Sequence, residues 1–72
     1  MRTTTYGGVY MRKFLISQLL YVAHQRPNKN SLIAGTFDKG EIVEIEEEYQ
    51  GWGRLPNNQG WLPLWDLKEI ID

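Results

Sequence analysis

The stretch GWGRLPNNQGWLPLWDL, residues 51–67, constrains the fold more than any other part of the chain, because it contains all three tryptophans. Two Gly-Trp pairs flank a polar Asn-Asn-Gln-Gly turn, with apolar residues on both sides. This arrangement predicts a tight hairpin that carries large aromatic side chains in a small all-β domain. Three tryptophans in so short a chain supply either much of its core or much of its binding surface. The sequence leaves both roles open.

The length limits the chain to one small domain. Its 72 residues include no cysteine, so neither a disulfide nor a thiolate zinc site can support the fold. A domain of this size buries only about 60% of its unfolded surface, and burial of aromatic and aliphatic side chains must therefore stabilise it. Residues 1–10 are rich in Thr, Gly and Tyr without core periodicity. We therefore predict a flexible tail over residues 1–12 and a folded domain over residues 13–72.

A membrane segment and a signal peptide are both disfavoured by the sequence. No apolar run approaches the about 20 residues that cross a bilayer. The basic pair Arg12 and Lys13 precedes a short apolar run, as in a signal peptide, but Ser17 and Gln18 interrupt that run. A core strand is the favoured interpretation, and a cytoplasmic location is the expectation.

The second half of the chain alternates with the period of a strand. Val43, Ile45 and Tyr49 share one parity and are expected to face the core. The other parity, which is expected to face water, is that of Glu44, Glu46 and Glu48. Gln50 and Gly51 form the next turn, and residues 56–60 form the loop of the tryptophan hairpin. Residues 64–67 predict a single helical turn before a last short strand. Residues 13–23 fit helix and strand spacing equally well.

The order of these motifs resembles the bacterial Src homology 3 domain, a small five-stranded barrel. The resemblance covers roughly residues 14–70 and implies that residues 13–23 are a strand. It also implies an all-β fold, a five-stranded Src homology 3-like barrel with a short single helical turn before the last strand. The matching segments are Leu20-Tyr21-Val22 before Pro27, Ala34-Gly35-Thr36, Lys39-Gly40 before the acidic strand, Gly51-Trp52 with Leu55, and Gly60-Trp61-Leu62.

The closing segment, residues 60–67, is similar to that of the eukaryotic branch of the same family. Trp65 stands where asparagine is usual there, and Asp66 stands where the ligand-contacting tyrosine is usual. Only Tyr21, Trp52 and Pro63 map to the proline-peptide groove. Because polyproline ligands stack on a pair of rings that is lost here, the resemblance does not imply such a ligand.

Enzyme chemistry has little support in the sequence. His24 is the single histidine, so the chain contains no Cys-His pair and no histidine-rich metal site. Glu46, Glu47 and Glu48 are consecutive on a predicted strand and point to alternating faces, so they do not converge on a cation. We expect neither enzymatic activity, nor a cofactor, nor a metal, and we interpret His24 as plain surface.

The function that the sequence favours is a non-catalytic binding module, a monomer that recognises a protein segment or a cell-wall peptide. Trp61 is expected to be mostly buried, Trp52 half exposed and Trp65 exposed, while the alternative is that Trp52 and Trp65 only cap an undersized core. The candidate ligand-binding residues are Tyr21, Tyr49, Trp52, Pro63 and Trp65.

Two alternatives follow from charge and from the tail. Residues 1–37 contain five bases and no acid, whereas residues 38–72 contain nine acids and three bases. The basic half, with Tyr21 and Trp52, would suit a nucleic-acid-binding barrel, although the chain is acidic overall. Residues 1–10 would suit a structural or assembly subunit of a phage or prophage particle, in which they add a strand to a neighbouring chain.

Overall fold

The structure, a computed structural model, describes residues 4–6 and 9–71, with side chains from residue 12 onward. The strands of this part are β1 (Thr4–Tyr6), β2 (Val9–Leu15), β3 (Leu20–His24), β4 (Ile33–Asp38), β5 (Ile42–Ile45), β6 (Glu47–Tyr49), β7 (Trp52–Arg54), β8 (Trp61–Pro63) and β9 (Lys68–Ile70). Within the described residues the only helical element is one 3-10 turn, Pro56–Asn58. The all-β prediction is therefore confirmed.

The strands form two sheets, and every pairing among the described residues is antiparallel. In the first sheet, β2 pairs with β1, β5 and β9. In the second sheet the order is β4-β3-β8-β7-β6. This pairing does not close five strands into a single barrel. The predicted boundary between tail and domain falls inside β2, which begins at Val9 and pairs with β1.

The hydrophobic core draws side chains from both sheets. Strand alternation buries Val43 and Ile45 on β5, as predicted, and Tyr21 and Ala23 on β3. Burial of these apolar groups provides the main driving force for folding of so short a chain. The buried cluster consists of Phe14, Ile16, Tyr21, Ala23, Val43, Ile45, Leu55 and Leu62.

The chain passes from the first sheet to the second at Glu46, which separates β5 from β6. The Glu46 amide donates to the Arg54 carbonyl at 3.0 Å, and β6 then pairs with β7. Beyond this break Tyr49 is 53% exposed, so the prediction that it faces the core is wrong. The alternation of buried and exposed residues in β5 does not continue into β6, because Glu46 between them belongs to neither strand.

Two of the predicted turns are confirmed and one is wrong. Gln50 and Gly51, with φ of 49° and 86°, join β6 to β7 in a two-residue turn, and β7 pairs with β8 around residues 56–60. Residues 64–67 form a turn, in which the Leu67 amide donates to the Leu64 carbonyl at 3.1 Å, and no helix. β9 begins directly after Leu67. The 3-10 turn lies instead in the loop between β7 and β8, and proline suits the first position of such a turn, which Pro56 occupies.

Gly53 on β7 lies where the second sheet packs closely against the core. It pairs with Leu62 on β8. A Cβ atom at Gly53 would lie 2.7 Å from Ile45 Cγ2 and 2.8 Å from Leu64 Cδ2. The absence of a side chain at this position therefore allows Ile45 and Leu64 to fill the space against β7.

Arg12 on β2 links the two sheets through charged hydrogen bonds. Its Nε donates to Glu69 Oε2 on β9 at 2.6 Å, and its terminal nitrogens bind Glu69 Oε1 and Glu48 Oε2 on β6. The guanidinium also lies 5.1 Å from the centre of the Phe14 ring. The hydrogen bond from Arg12 lowers the pKa of Glu69, although burial acts in the opposite direction. This partly buried network fastens β6 to β2 and β9 at the corner where the chain changes sheets.

Substitution of Gly53 tests the close approach. Gly53→Ala should lower the free energy of unfolding by about 1–3 kcal/mol, because the added methyl overlaps Ile45 and Leu64. Urea unfolding measures the change. Gly35→Ala is the control, since nothing lies within 4 Å of a Cβ added there, and it should stay within about 0.5 kcal/mol of the native value. An equal loss in both variants would contradict this packing.

The Arg12 network predicts acid sensitivity. Because folding lowers the pKa of Glu69, its contribution to stability is present above the unfolded pKa of about 4.3 and is lost as the pH falls through the folded pKa. Glu69→Gln should therefore lower the free energy of unfolding by about 1–3 kcal/mol at neutral pH, and by much less in strong acid. Denaturant unfolding over this pH range measures both values. The exposed Glu44→Gln is the control, and a pH-independent loss in Glu69→Gln would refute the prediction.

Candidate aromatic binding surface

Strand register collects most of the candidate residues on one face of the second sheet. Tyr49 on β6 pairs with Trp52 on β7, and Trp52 pairs with Pro63 on β8. Gly53 and Leu62 point to the opposite face, toward the core, because successive residues of a strand alternate. We call the face that carries Tyr49, Trp52 and Pro63 the outer face. Its neighbouring cross-strand row consists of Glu47, Arg54, Trp61 and His24.

Trp52 is buried on this outer face. It is 7% exposed, so the prediction that it is half exposed is wrong. Its ring meets the Trp65 ring edge to face, with centres 5.5 Å apart and planes at 89°. The His24 ring meets it in the same way at 5.9 Å and 83°. Both arrangements suit the quadrupoles of aromatic rings, and together they remove Trp52 from water.

Trp65 is the exposed member of the pair. It is 54% exposed, in agreement with the prediction. A Cβ atom at Gly51 would lie 3.3 Å from Trp65 Cε3, so the ring rests directly on the β6–β7 turn. Lys29, in the loop between β3 and β4, places its Nζ 5.9 Å from the centre of the ring. The ring thus rests on a tight turn and lies close to the Lys29 ammonium, from a loop that is distant from it in the sequence.

Tyr21 supports the surface from the core side. It is 8% exposed, and its Oη donates to the Pro63 carbonyl at 2.5 Å. Burial, and then the nearby Asp66 carboxylate, raise the pKa of Tyr21 to about 12. The structure therefore places Tyr21 and Trp52 beneath the surface, leaves Pro63 partly buried and exposes Tyr49 and Trp65.

Sequence reasoning missed the part that His24 plays. The sequence predicts plain surface for His24, but the residue is half-buried. Its Nδ1 lies 3.0 Å from the Ser31 carbonyl, and its ring packs against Trp52. Alternation along β3 places His24 on the face opposite the buried Tyr21 and Ala23, which the sequence could predict. The sequence could not predict that His24 pairs with Trp61, because β3 and β8 lie far apart in the chain. No local signal indicates that contact.

A groove of about 440 Å³ adjoins the aromatic part of the outer face. Its lining combines polar and apolar residues in similar measure and includes the Arg54 guanidinium. Arg54 Nη2 lies 3.4 Å from Glu46 Oε1, and its Nε lies 3.0 Å from Glu47 Oε1 without hydrogen-bond geometry. These carboxylates offset the positive charge of the groove. The lining residues are Gln25, Ala34, Arg54, Asn58, Gly60 and Trp61.

The described part of the chain contains neither a metal cluster nor a membrane-spanning helix. Among residues 4–6 and 9–71, no group of three or more His, Asp or Glu side chains is placed to hold a metal ion. The same residues form no helix that is long and apolar enough to span a membrane. Comparison of the chain with known protein families, curated proteins and solved structures gave no match.

The Tyr21 phenol provides a direct test of the site's architecture. A spectrophotometric titration of the native protein should show a tyrosine that ionises near pH 12, and Tyr21→Phe should abolish that step. Since the folded state favours the neutral phenol, its contribution to stability is complete below pH about 10 and is lost as the pH rises toward 12. Tyr49→Phe is the control and should keep the late step. If the ionisation near pH 12 persisted in Tyr21→Phe, another residue would be responsible for it.

Proposed function

We propose that this chain is a non-catalytic binding module that recognises a protein segment or a cell-wall peptide through the outer face of its second sheet. The observation that carries the proposal is the exposure of Tyr49 and Trp65, each by more than half, around the buried Trp52. Tryptophan and tyrosine are the residues most enriched at binding hot spots, where one apolar ring displaces much water.

The rigidity of the surface also supports binding. Trp65 is held by its contacts with Trp52 and Gly51, and the backbone at Pro63 is fixed by the hydrogen bond from Tyr21. A ring that is already positioned loses little conformational freedom when a ligand covers it, so more of the contact free energy becomes affinity. An extended segment suits the surface because Tyr49 pairs with Trp52 and Trp65 packs on Trp52, so both exposed rings flank the same buried indole.

The proposal includes the finer assignment of the fold as a five-stranded bacterial Src homology 3-like barrel. Five segments would make up that barrel: β2, the continuous stretch of β5 and β6, β7, β8 and β9. The return of β9 to β2 and the passage of β5 into β6 between the sheets support it. In this interpretation β1 and the β3–β4 hairpin lie outside the five barrel segments, so the Leu20-Tyr21-Val22 and Ala34-Gly35-Thr36 segments of the resemblance do not form barrel strands.

A nucleic-acid-binding barrel is the second candidate, favoured by the five bases in residues 1–37. The ion pairs weigh against it. Arg12 is bound by Glu48 and Glu69, and Arg54 lies beside glutamates on β5–β6, so carboxylates accompany two of the cations that such a face would use. An assembly subunit that donates residues 1–10 gains no support, because Thr4–Tyr6 pairs within its own chain.

Titration with two probe sets tests the binding module. Soluble peptidoglycan fragments and a panel of extended synthetic peptides are added to labelled protein, and the Trp65 indole and Tyr49 amide are followed by NMR. At least one probe should shift both signals. Trp65→Ala and Tyr49→Ala should each weaken that binding about 30-fold, the loss of about 2 kcal/mol that marks a hot-spot side chain.

Ile42→Ala is the matched control, since Ile42 is 60% exposed on the first sheet, and it should bind as the native protein does. Signals that stay unchanged under every probe would remove the basis of the proposal. Binding of a random oligonucleotide that weakens with salt would instead favour the second candidate.

A further inference from the structure

The Trp65 ring already accepts a cation in the free protein. Lys29 Nζ lies 5.9 Å from the centre of the ring, near the outer limit of about 6 Å for a favourable cation–π contact. Lys29 is exposed, in a loop of eight residues between β3 and β4. An exposed lysine side chain at this distance is only weakly held, because water competes for its ammonium group and its stem keeps its rotational freedom.

The geometry around Trp65 leaves room for a better-placed cation. The ring is fixed by the Trp52 ring and by Gly51, and more than half of its surface stays open to water. A cation on this ring competes with the Lys29 ammonium, which lies 5.9 Å from its centre. Indole is the aromatic group with the strongest attraction for cations, so Trp65 is the best site of this kind on the outer face.

The charges near the ring favour a positively charged ligand. Asp66 follows Trp65 in the sequence, is exposed, and lies close enough to the Tyr21 phenol to raise its pKa. An exposed carboxylate beside the ring attracts cationic ligands and opposes anionic ones.

We propose that the Trp65 ring binds a lysine or arginine side chain of the partner segment, which takes the place that the Lys29 ammonium occupies in the free protein. This inference rests on the proposed binding function and names the chemistry of the partner. Arginine suits the site better than lysine, because its planar guanidinium is weakly hydrated and stacks on an indole. Lys29 then competes with the ligand for the ring, so its presence raises the ligand concentration needed for binding.

The test uses N-acetylarginine amide as the cation and N-acetylcitrulline amide as its neutral counterpart of nearly equal shape. Each is titrated into labelled native protein, Lys29→Met and Lys39→Met, with sodium chloride matched throughout. The arginine probe should shift the Trp65 indole signal, and Lys29→Met should strengthen this binding about two- to fivefold, the factor that one exposed cation–π contact represents. Lys39→Met, which removes a charge from the β4–β5 turn, should match the native protein.

Three outcomes would overturn the inference. These are an unshifted Trp65 indole in Lys29→Met, equal shifts from arginine and citrulline, and equal strengthening in Lys29→Met and Lys39→Met. The last would show a general charge effect rather than displacement from the ring. If neutral peptides shift Trp65 and Tyr49 while arginine does not, the binding module stands and only the cation preference fails.

Discussion

The passage of one segment from the first sheet to the second at Glu46 is the constraint on which the rest of the structure depends. Before Glu46 the chain supplies Val43 and Ile45 to the core, and after it the chain supplies Tyr49 to the outer face. The Arg12 network fastens β6 to β2 and β9 at this corner. No backbone pairing joins β6 to β2 or β9, because they belong to different sheets. A partly buried guanidinium with two carboxylate partners suits that place because it keeps its charge compensated.

The tryptophans divide the two roles that the sequence leaves open. Trp52 is buried, yet it packs on the side of the sheet away from the main core, against Trp65 and His24. Trp65 covers Trp52 and still exposes half of its own surface. Core and binding surface are therefore joined in one pair of rings rather than assigned to different residues. A small domain gains from this arrangement, because each indole contributes to stability while one of them also faces water.

Much of the fold follows from the sequence. The alternation in β5, the turn at Gln50 and Gly51 and the hairpin around residues 56–60 are local patterns, and each is found in the structure. The orientation of Tyr49 cannot be predicted from the alternation in β5, because that alternation is interrupted at Glu46, between the two sheets. The helical turn expected at residues 64–67 depends on where β9 begins, which pairing with β2 decides. For the site, the sequence identifies Trp65 as exposed but not what buries Trp52, since the contacts of His24 and Trp65 join elements that are distant in the chain.

Gly51 serves two neighbours at once. Its φ of 86° completes the turn that sets the register of β6 and β7, and the space above its Cα seats the Trp65 ring. A substitution that tightens or loosens this turn would therefore also move the ring that faces a ligand. Stability and recognition cannot be adjusted independently at this position. Any variation in ligand preference among proteins of this design is thus expected to arise around Trp65, in the loop that carries Lys29, rather than in the turn beneath it.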